Sequence, residues 1–269
     1  IKDHAKQYDG LNFIYTDYEE LDICNLNDLE EFFKTNQKID YCINCAAYTA
    51  VDKAESEVEK AFEINAIGPK NLAQVCSEFD TILIQISTDF VFDGEKTEPY
   101  VETDVANPIS VYGASKLQGE VEIQKTYKKH FIIRTSWLYC EHGTNFMTTM
   151  LRLAETRDEI SVVSDQIGTP TYAGDLAEVI LKIVRSKNTN FGLYHYSNDG
   201  VASWYDFAKA IFEESNKEIR LNPIKTEAYP TPAKRPVYSV MDKTKIKSIT
   251  GIETRNWQDS LKKAIASNK

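Results

Sequence analysis

The 269-residue sequence predicts an α/β fold built on a doubly wound parallel sheet, with a smaller second part toward the C-terminus. Three observations carry that prediction. Continuous apolar runs at 40–47, 81–87 and 131–134 have the character of strands buried on both faces, as parallel sheets require. Segments of helical periodicity separate these runs, so the strands are joined by crossovers rather than hairpins. After about residue 135 the alternation loosens, which marks the second part.

In chain order, 12–15 is a short strand. Asn27, with Glu30 three residues on, resembles a capping box opening a helix over 28–35. The strand at 40–47 leads into helical stretches at 54–64 and 69–78. The strand at 81–87 gives way to a loop holding Gly94, Pro99 and Pro108, then to a helix over 111–127 and the strand 131–134. Beyond it come a helix at 146–155, a strand at 160–164, a helix at 174–185, a strand at 192–197 and a helix at 205–215.

The 41 acidic residues against 31 basic ones give a net charge of −10, which argues against nucleic acid as the main partner. No apolar run approaches the roughly 18 residues of a membrane helix, and no signal segment opens the chain. The sequence therefore reads as soluble and cytoplasmic. Five cysteines, an odd number, do not suggest a disulfide framework. Cys42 and Cys45 form a CxxC, yet residues i and i+3 of a strand point to opposite faces and no second pair completes a metal site. Buried packing is the expectation for both, and no metal ligand set is assigned.

In doubly wound sheets ligands sit beyond the carboxyl ends of the strands, which directs attention to the residues after Cys45, Ser87 and Arg134. Tyr112 and Lys116 lie four apart on a helix and so share a face, where an ammonium lowers the pKa of a phenol from about 10. A second such pair, Tyr205 and Lys209, lies in an amphipathic run with no polar strand end beside it and reads as structural. Tyr112 differs because Ser87-Thr88-Asp89 ends a buried strand and can offer hydroxyls to a substrate oxygen.

Five segments stand out together: Asn44-Cys45-Ala46-Ala47-Tyr48-Thr49-Ala50-Val51-Asp52, Ser87-Thr88-Asp89-Phe90-Val91-Phe92-Asp93-Gly94, Tyr112-Gly113-Ala114-Ser115-Lys116, Arg134-Thr135-Ser136-Trp137-Leu138-Tyr139 and Asp165-Gln166-Ile167-Gly168-Thr169-Pro170. The set resembles the dTDP-4-dehydrorhamnose reductase family of extended short-chain dehydrogenases/reductases. Ser203-Trp204-Tyr205-Asp206-Phe207, Arg235-Pro236, Ser239 and Asp242 extend the likeness over nearly the whole chain. It implies a Rossmann-like NAD(P)-binding part over 1–145, rejoined by 171–190. Residues 146–170 and 191–269 would be mainly a substrate-binding subdomain.

The implied reaction is NAD(P)H-dependent reduction of the C4 keto group of dTDP-4-dehydro-β-L-rhamnose to dTDP-L-rhamnose, a step toward cell-surface polysaccharide. By the resemblance Tyr112 is the acid, Thr88 fixes the carbonyl oxygen, and Lys116 tunes the tyrosine and binds the nicotinamide ribose. Asp89 and Trp137 hold the deoxysugar, the indole offering it an apolar face. Asp22, Ile23, Ala46, Ala47 and Tyr48 line the adenosine side of the cofactor. Asp17 is placed either to accept the ribose hydroxyls, disfavouring a 2′-phosphate, or to be a solvated loop carboxylate. The stretch 234–247 carries five basic residues against one acid, so Arg235 could grip a diphosphate, with a solvated tail as the competing account.

Three rivals stand beside this reading. A 4,6-dehydratase needs an acid where Phe90 stands, and a 4-epimerase or other sugar-nucleotide 4-reductase shares most of the machinery. A non-catalytic NAD(P)-binding regulatory subunit, resembling the β subunit of methionine adenosyltransferase, keeps the same fold. NADH against NADPH, divalent-ion (Mg2+) dependence and the choice between monomer and homodimer stay open. None of the 11 glycines forms a GxGxxG pattern, so roughly 15–20 further residues are expected before Ile1, a strand and a glycine-rich turn.

Overall fold

The computed structural model describes residues 1–36 and 38–267. Four parallel strands form the central sheet: β1 (Tyr41–Asn44), β2 (Ile82–Thr88), β3 (His130–Thr135) and β4 (Gly192–His195), in the order β1-β2-β3-β4. Alternating side chains serve opposite faces, so each apolar strand feeds two cores. On one side Leu83 and Ile132 meet Leu29 and Phe33 of α1 (Leu26–Thr35), Leu72 and Val75 of α2 (Gly68–Glu78), and Ile123 of α3 (Val111–Thr126). On the other, Ile84, Phe131 and Ile133 meet Leu176, Val179, Ile180 and Ile183 of α4 (Ala173–Arg185). Each such fully buried side chain contributes about 1.5–3 kcal/mol of transfer free energy.

The register places Ser87 beside Arg134 and Thr88 beside Thr135, so the carboxyl ends of β2 and β3 finish level. A second core forms apart from the sheet. Met147, Phe207, Ile211 and Leu261 from the helices Phe146–Leu153, Trp204–Ser215 and Trp257–Ser267 pack there with Ile160 and Val162. The last two belong to a parallel pair of strands, Glu159–Val163 and Arg220–Ile224.

Several sequence expectations shift. Residues 12–15 are not a strand: among the described residues they have no ladder partner, Ile14 and Tyr15 are exposed, and Phe13 stacks on Tyr15 instead. Helix α1 is capped by Asn25, not Asn27; its side chain accepts from the backbone N–H groups of Asn27 and Asp28. The expected helix over 54–64 divides into Val51–Ala54, Val58–Phe62 and a π-helical turn, Glu63–Ile67, that runs on into α2. Gly192–His195, placed by sequence in the second part, is a strand of the central sheet. Cys45 is exposed rather than buried, because the strand ends at Asn44, while Cys42 is half-buried against Cys76.

Candidate active site

The site is assembled where β2 runs into α3. Thr88 ends the strand and caps the short 3-10 turn Asp89–Val91, its hydroxyl accepting from the Phe90 N–H at 3.2 Å and donating to Asp89 Oδ1 at 3.1 Å. Ser110 caps α3 by accepting from the Gly113 N–H, and Tyr112 then stands in the first helical turn. A Cβ on Gly113 would lie 2.1 Å from the Phe90 carbonyl oxygen, so only glycine lets the helix start this close to the turn. That approach brings the Tyr112 hydroxyl near Thr88, with the Phe90 ring edge-on to the tyrosine.

Burial pushes the Tyr112 phenol up to about 12, helped by the nearby Asp89 carboxyl. This reverses the expectation that Lys116 holds it down. Lys116, buried one turn on, donates to the Ile86 carbonyl at 2.7 Å and is itself pushed down to about 8 by burial. Asp89 is buried too and is raised to about 6, mainly by desolvation. Ser239 lies beside it, yet Asp89 Oδ2 has no hydrogen-bond partner of good geometry. Buried acceptors are rarely left open in this way, and an incoming hydroxyl can fill it.

Under Lys116 runs a buried polar cluster that sequence reasoning missed. Glu120 accepts from Ser87 Oγ at 2.5 Å and from Arg134 Nε and Nη2 at 2.9 and 2.6 Å. Arg134 also reaches His195, which burial and the guanidinium together push down to about 3, so the imidazole is neutral. Only the i, i+4 spacing of Lys116 and Glu120 could have hinted at this.

On the expected cofactor side, Cys45 and Ala46 are exposed at the end of β1, Ala47 is half-buried, and Tyr48 turns inward. Asn65 in the π-helical turn holds this loop. It accepts from the Tyr48 N–H at 2.8 Å and donates to the Tyr48 carbonyl at 3.0 Å and to Ser115 Oγ at 3.0 Å. The loop is thereby tied to the helix that carries Tyr112. Asp22 accepts from the Cys24 N–H, Ile23 packs against Gly68, and Asp17 caps its own exposed turn through the Glu19 and Glu20 N–H groups.

Trp137 follows β3 with a left-handed backbone (φ 46°) and is stacked on Trp204 with ring centroids 3.6 Å apart. Gly168 also approaches its indole closely. One face of Trp137 is therefore already covered, which narrows the open apolar surface expected for it. Arg235 is engaged as well: its guanidinium forks onto Asp52 at 3.1 and 2.8 Å and donates to the Ala233 carbonyl. Its basic neighbours are largely occupied, since Lys243 and Lys247 pair with Asp199 and Lys245 donates to the Leu193 carbonyl. Tyr205 packs on the second core and Lys209 pairs with Glu213, the structural role expected of that pair.

The RmlD substrate binding domain family matches residues 2–269. The chain belongs to this family. Among its relatives, the dTDP-4-dehydrorhamnose reductase of Aggregatibacter actinomycetemcomitans is 44% identical over 91% of this chain and 87% of that protein. The reductase of Escherichia coli K12 is 40% identical over 94% and 89%. A structure from Clostridium acetobutylicum, described as a dTDP-4-dehydrorhamnose reductase, superposes with a TM-score of 0.93 at 45% identity, covering 99% of this chain and 94% of that one. The Bacillus anthracis reductase, solved in complex with NADP, superposes with a TM-score of 0.92 at 40% identity over 98% and 92%.

Proposed function

We propose that this protein reduces the C4 keto group of dTDP-4-dehydro-β-L-rhamnose, with NADPH or NADH as reductant, to give dTDP-L-rhamnose. The observation that carries the proposal is the meeting of Thr88, Tyr112 and Lys116 at the carboxyl end of β2, beside an open buried acceptor on Asp89. The relatives' names point to the substrate class, a sugar nucleotide. Among the described residues no helix is long and apolar enough to cross a membrane.

The residues present fit a nicotinamide dinucleotide. Lys116 is a buried ammonium with a single acceptor, leaving donors for ribose hydroxyls, and Ala46 and Ala47 offer small side chains for close approach. When bound, the reduced nicotinamide supplies the hydride. Tyr112, fully protonated at neutral pH, delivers a proton to the oxygen that gains charge at C4. Thr88, turning its hydroxyl from Asp89 Oδ1 to the same oxygen, fixes its position. Asp89 accepts a sugar hydroxyl through its free Oδ2, Trp137 borders the deoxy face of the ring, and Arg235 faces the diphosphate. Asp22, Ile23 and Tyr48 shape the adenosine side, where Asp17 accepts ribose hydroxyls. Residues 1–145 with 171–190 thus serve mainly the dinucleotide and the remainder the sugar. Phe90, edge-on to Tyr112, carries no transferable proton, which disfavours elimination chemistry at this position.

The test is substrate-dependent loss of absorbance from NADPH and NADH in parallel, with the product identified by mass. Stoichiometric oxidation of either cofactor together with a gain of two hydrogens in the sugar is expected. Cofactor binding without turnover would instead favour the regulatory-subunit reading.

A further inference from the structure

Tyr112, Lys116 and Glu120 stand at i, i+4 and i+8 of α3 and so share one face of the helix, directed at the sheet. The first two belong to the proposed chemistry; the third has no part in it so far. Glu120 is buried and its carboxylate is saturated by donors from two strands, Ser87 of β2 and Arg134 of β3. No hydrogen bond joins it to Lys116, whose Nζ turns to the Ile86 carbonyl.

We propose that Glu120 is the positioning residue and counter-charge for Lys116. Its first task is geometric. The fork from Arg134 and the bond from Ser87 fasten α3 to the strand ends one turn below Lys116, and thereby fix where Lys116 and Tyr112 stand over the end of β2. Its second task is electrostatic. Buried Lys116 and Arg134 would be two cations in low dielectric, and His195, held neutral, offers no relief. One carboxylate, ion-paired with Arg134 and one turn from Lys116, favours the charged ammonium against burial.

The groups that face Lys116 are few. Glu120 and Tyr112 come from its own helix, the Ile86 carbonyl and Ser87 from β2, and Cys45 from the end of β1, with Arg134 of β3 behind Glu120. Glu120 and Cys45 favour the ammonium, and burial opposes it. Although Cys45 as a whole residue is exposed, its sulfur is packed inward and its ionisation is disfavoured, so the charged partner is Glu120, ion-paired with Arg134.

The inference rests on the reductase reading only for its kinetic arm; its main test needs no substrate. In ligand-free protein carrying ε-13C lysine, the Lys116 resonance is assigned by its loss in Lys116→Arg and titrated by NMR. In Glu120→Gln its midpoint should fall by roughly one pH unit or more, the usual effect of removing a nearby opposite charge. In Ser87→Ala, which loses a hydrogen bond but keeps the carboxylate, and in Glu120→Asp the midpoint should stay within a few tenths of the wild type, in the range of small environmental shifts. The alkaline limb of kcat/KM should move with the NMR midpoint. If Glu120→Gln fails to fold, the comparison is made between Arg134→Met and Arg134→Met/Glu120→Gln, which buries no unpaired cation from Arg134, and the same drop is expected. A folded variant lacking the carboxylate whose Lys116 titrates as in the wild type would overturn the proposal, and a pH-independent fall in rate would mark Glu120 as a structural tie alone. Absence of turnover in the wild type would refute the reductase reading and leave the titration standing.

Discussion

A phenol pushed up to about 12 keeps its proton throughout the neutral range, and that suits a group whose task in a reduction is to give one away. Tyr112→Phe keeps the ring and its packing on Phe90, so turnover should fall by roughly 10²–10⁴-fold, the usual worth of a positioned acid. Cofactor affinity, measured by fluorescence titration, should barely change. Tyr205→Phe should leave both intact; equal losses in the two variants would undo the assignment. Asp89 makes a second prediction. Its carboxyl rises from 3.8 to about 6, so the folded state prefers the protonated form. The stabilisation is complete below about pH 4 and is lost as pH rises through 6, reaching about 3 kcal/mol by linkage. Unfolding by urea should show Asp89→Asn gaining on the wild type between pH 4 and 7, whereas parallel curves would contradict a desolvated carboxyl. Thr88, Tyr112 and Lys116 were legible in the sequence because helical spacing and a strand end announce them. Asn65 and Glu120 were not, since their partners lie on separate segments of chain and leave no periodic trace.

Elements were legible to the extent that one period ran through them. Three of the four strands of the central sheet lie in continuous apolar runs, and the helices α2, α3 and α4 match expectation to within a residue or two at their ends. The strand Arg220–Ile224 went unseen because Asn222 and Pro223 interrupt it; as an outer member of a two-stranded pair it tolerates a residue with no N–H. The π-helical turn Glu63–Ile67 breaks the 3.6-residue repeat by one residue, so no helical pattern fits across it. That turn aims the Asn65 carbonyl at α3, where a Cβ on Gly119 would lie 2.1 Å from it. Gly→Ala in a helix interior ordinarily stabilises by about 1 kcal/mol. Here the sign should reverse. Gly119→Ala should destabilise by about 1–3 kcal/mol, the range for overpacking, as measured by chemical denaturation. A gain in stability would mean that the helices can part without cost, and the tie from Asn65 to Ser115 would lose its structural meaning.

At the scale of the molecule, the reversal of charge sign along 234–247 was visible in the sequence, but its use was not. Three of its lysines are occupied by Asp199 and by the Leu193 carbonyl, which leaves Arg235 and the exposed Lys234 as its remaining cations. Arg235 is itself forked onto Asp52, in the segment that follows the loop at the end of β1, so one ion pair joins the proposed cofactor side to the proposed sugar side. With relative exposures of 24% and 41% for the arginine and aspartate side chains, the pair lies in the solvent-screened range and is worth about 1 kcal/mol or less to stability. Its consequence for binding is larger. A diphosphate that takes the same fork of donors must displace the carboxylate, which repels it as well. Asp52→Asn should therefore leave stability nearly unchanged and tighten binding of a dTDP-sugar several-fold at low salt, by calorimetric titration. Arg235→Ala should weaken that binding, and the difference between the two variants should shrink as ionic strength rises, because charges separated by more than about 8 Å are screened at physiological salt. Trp137→Ala removes an apolar contact and should respond little to salt. If Asp52→Asn instead weakens binding as much as Arg235→Ala does, the aspartate holds the guanidinium in its working position, and the bridge acts as a brace rather than a competitor.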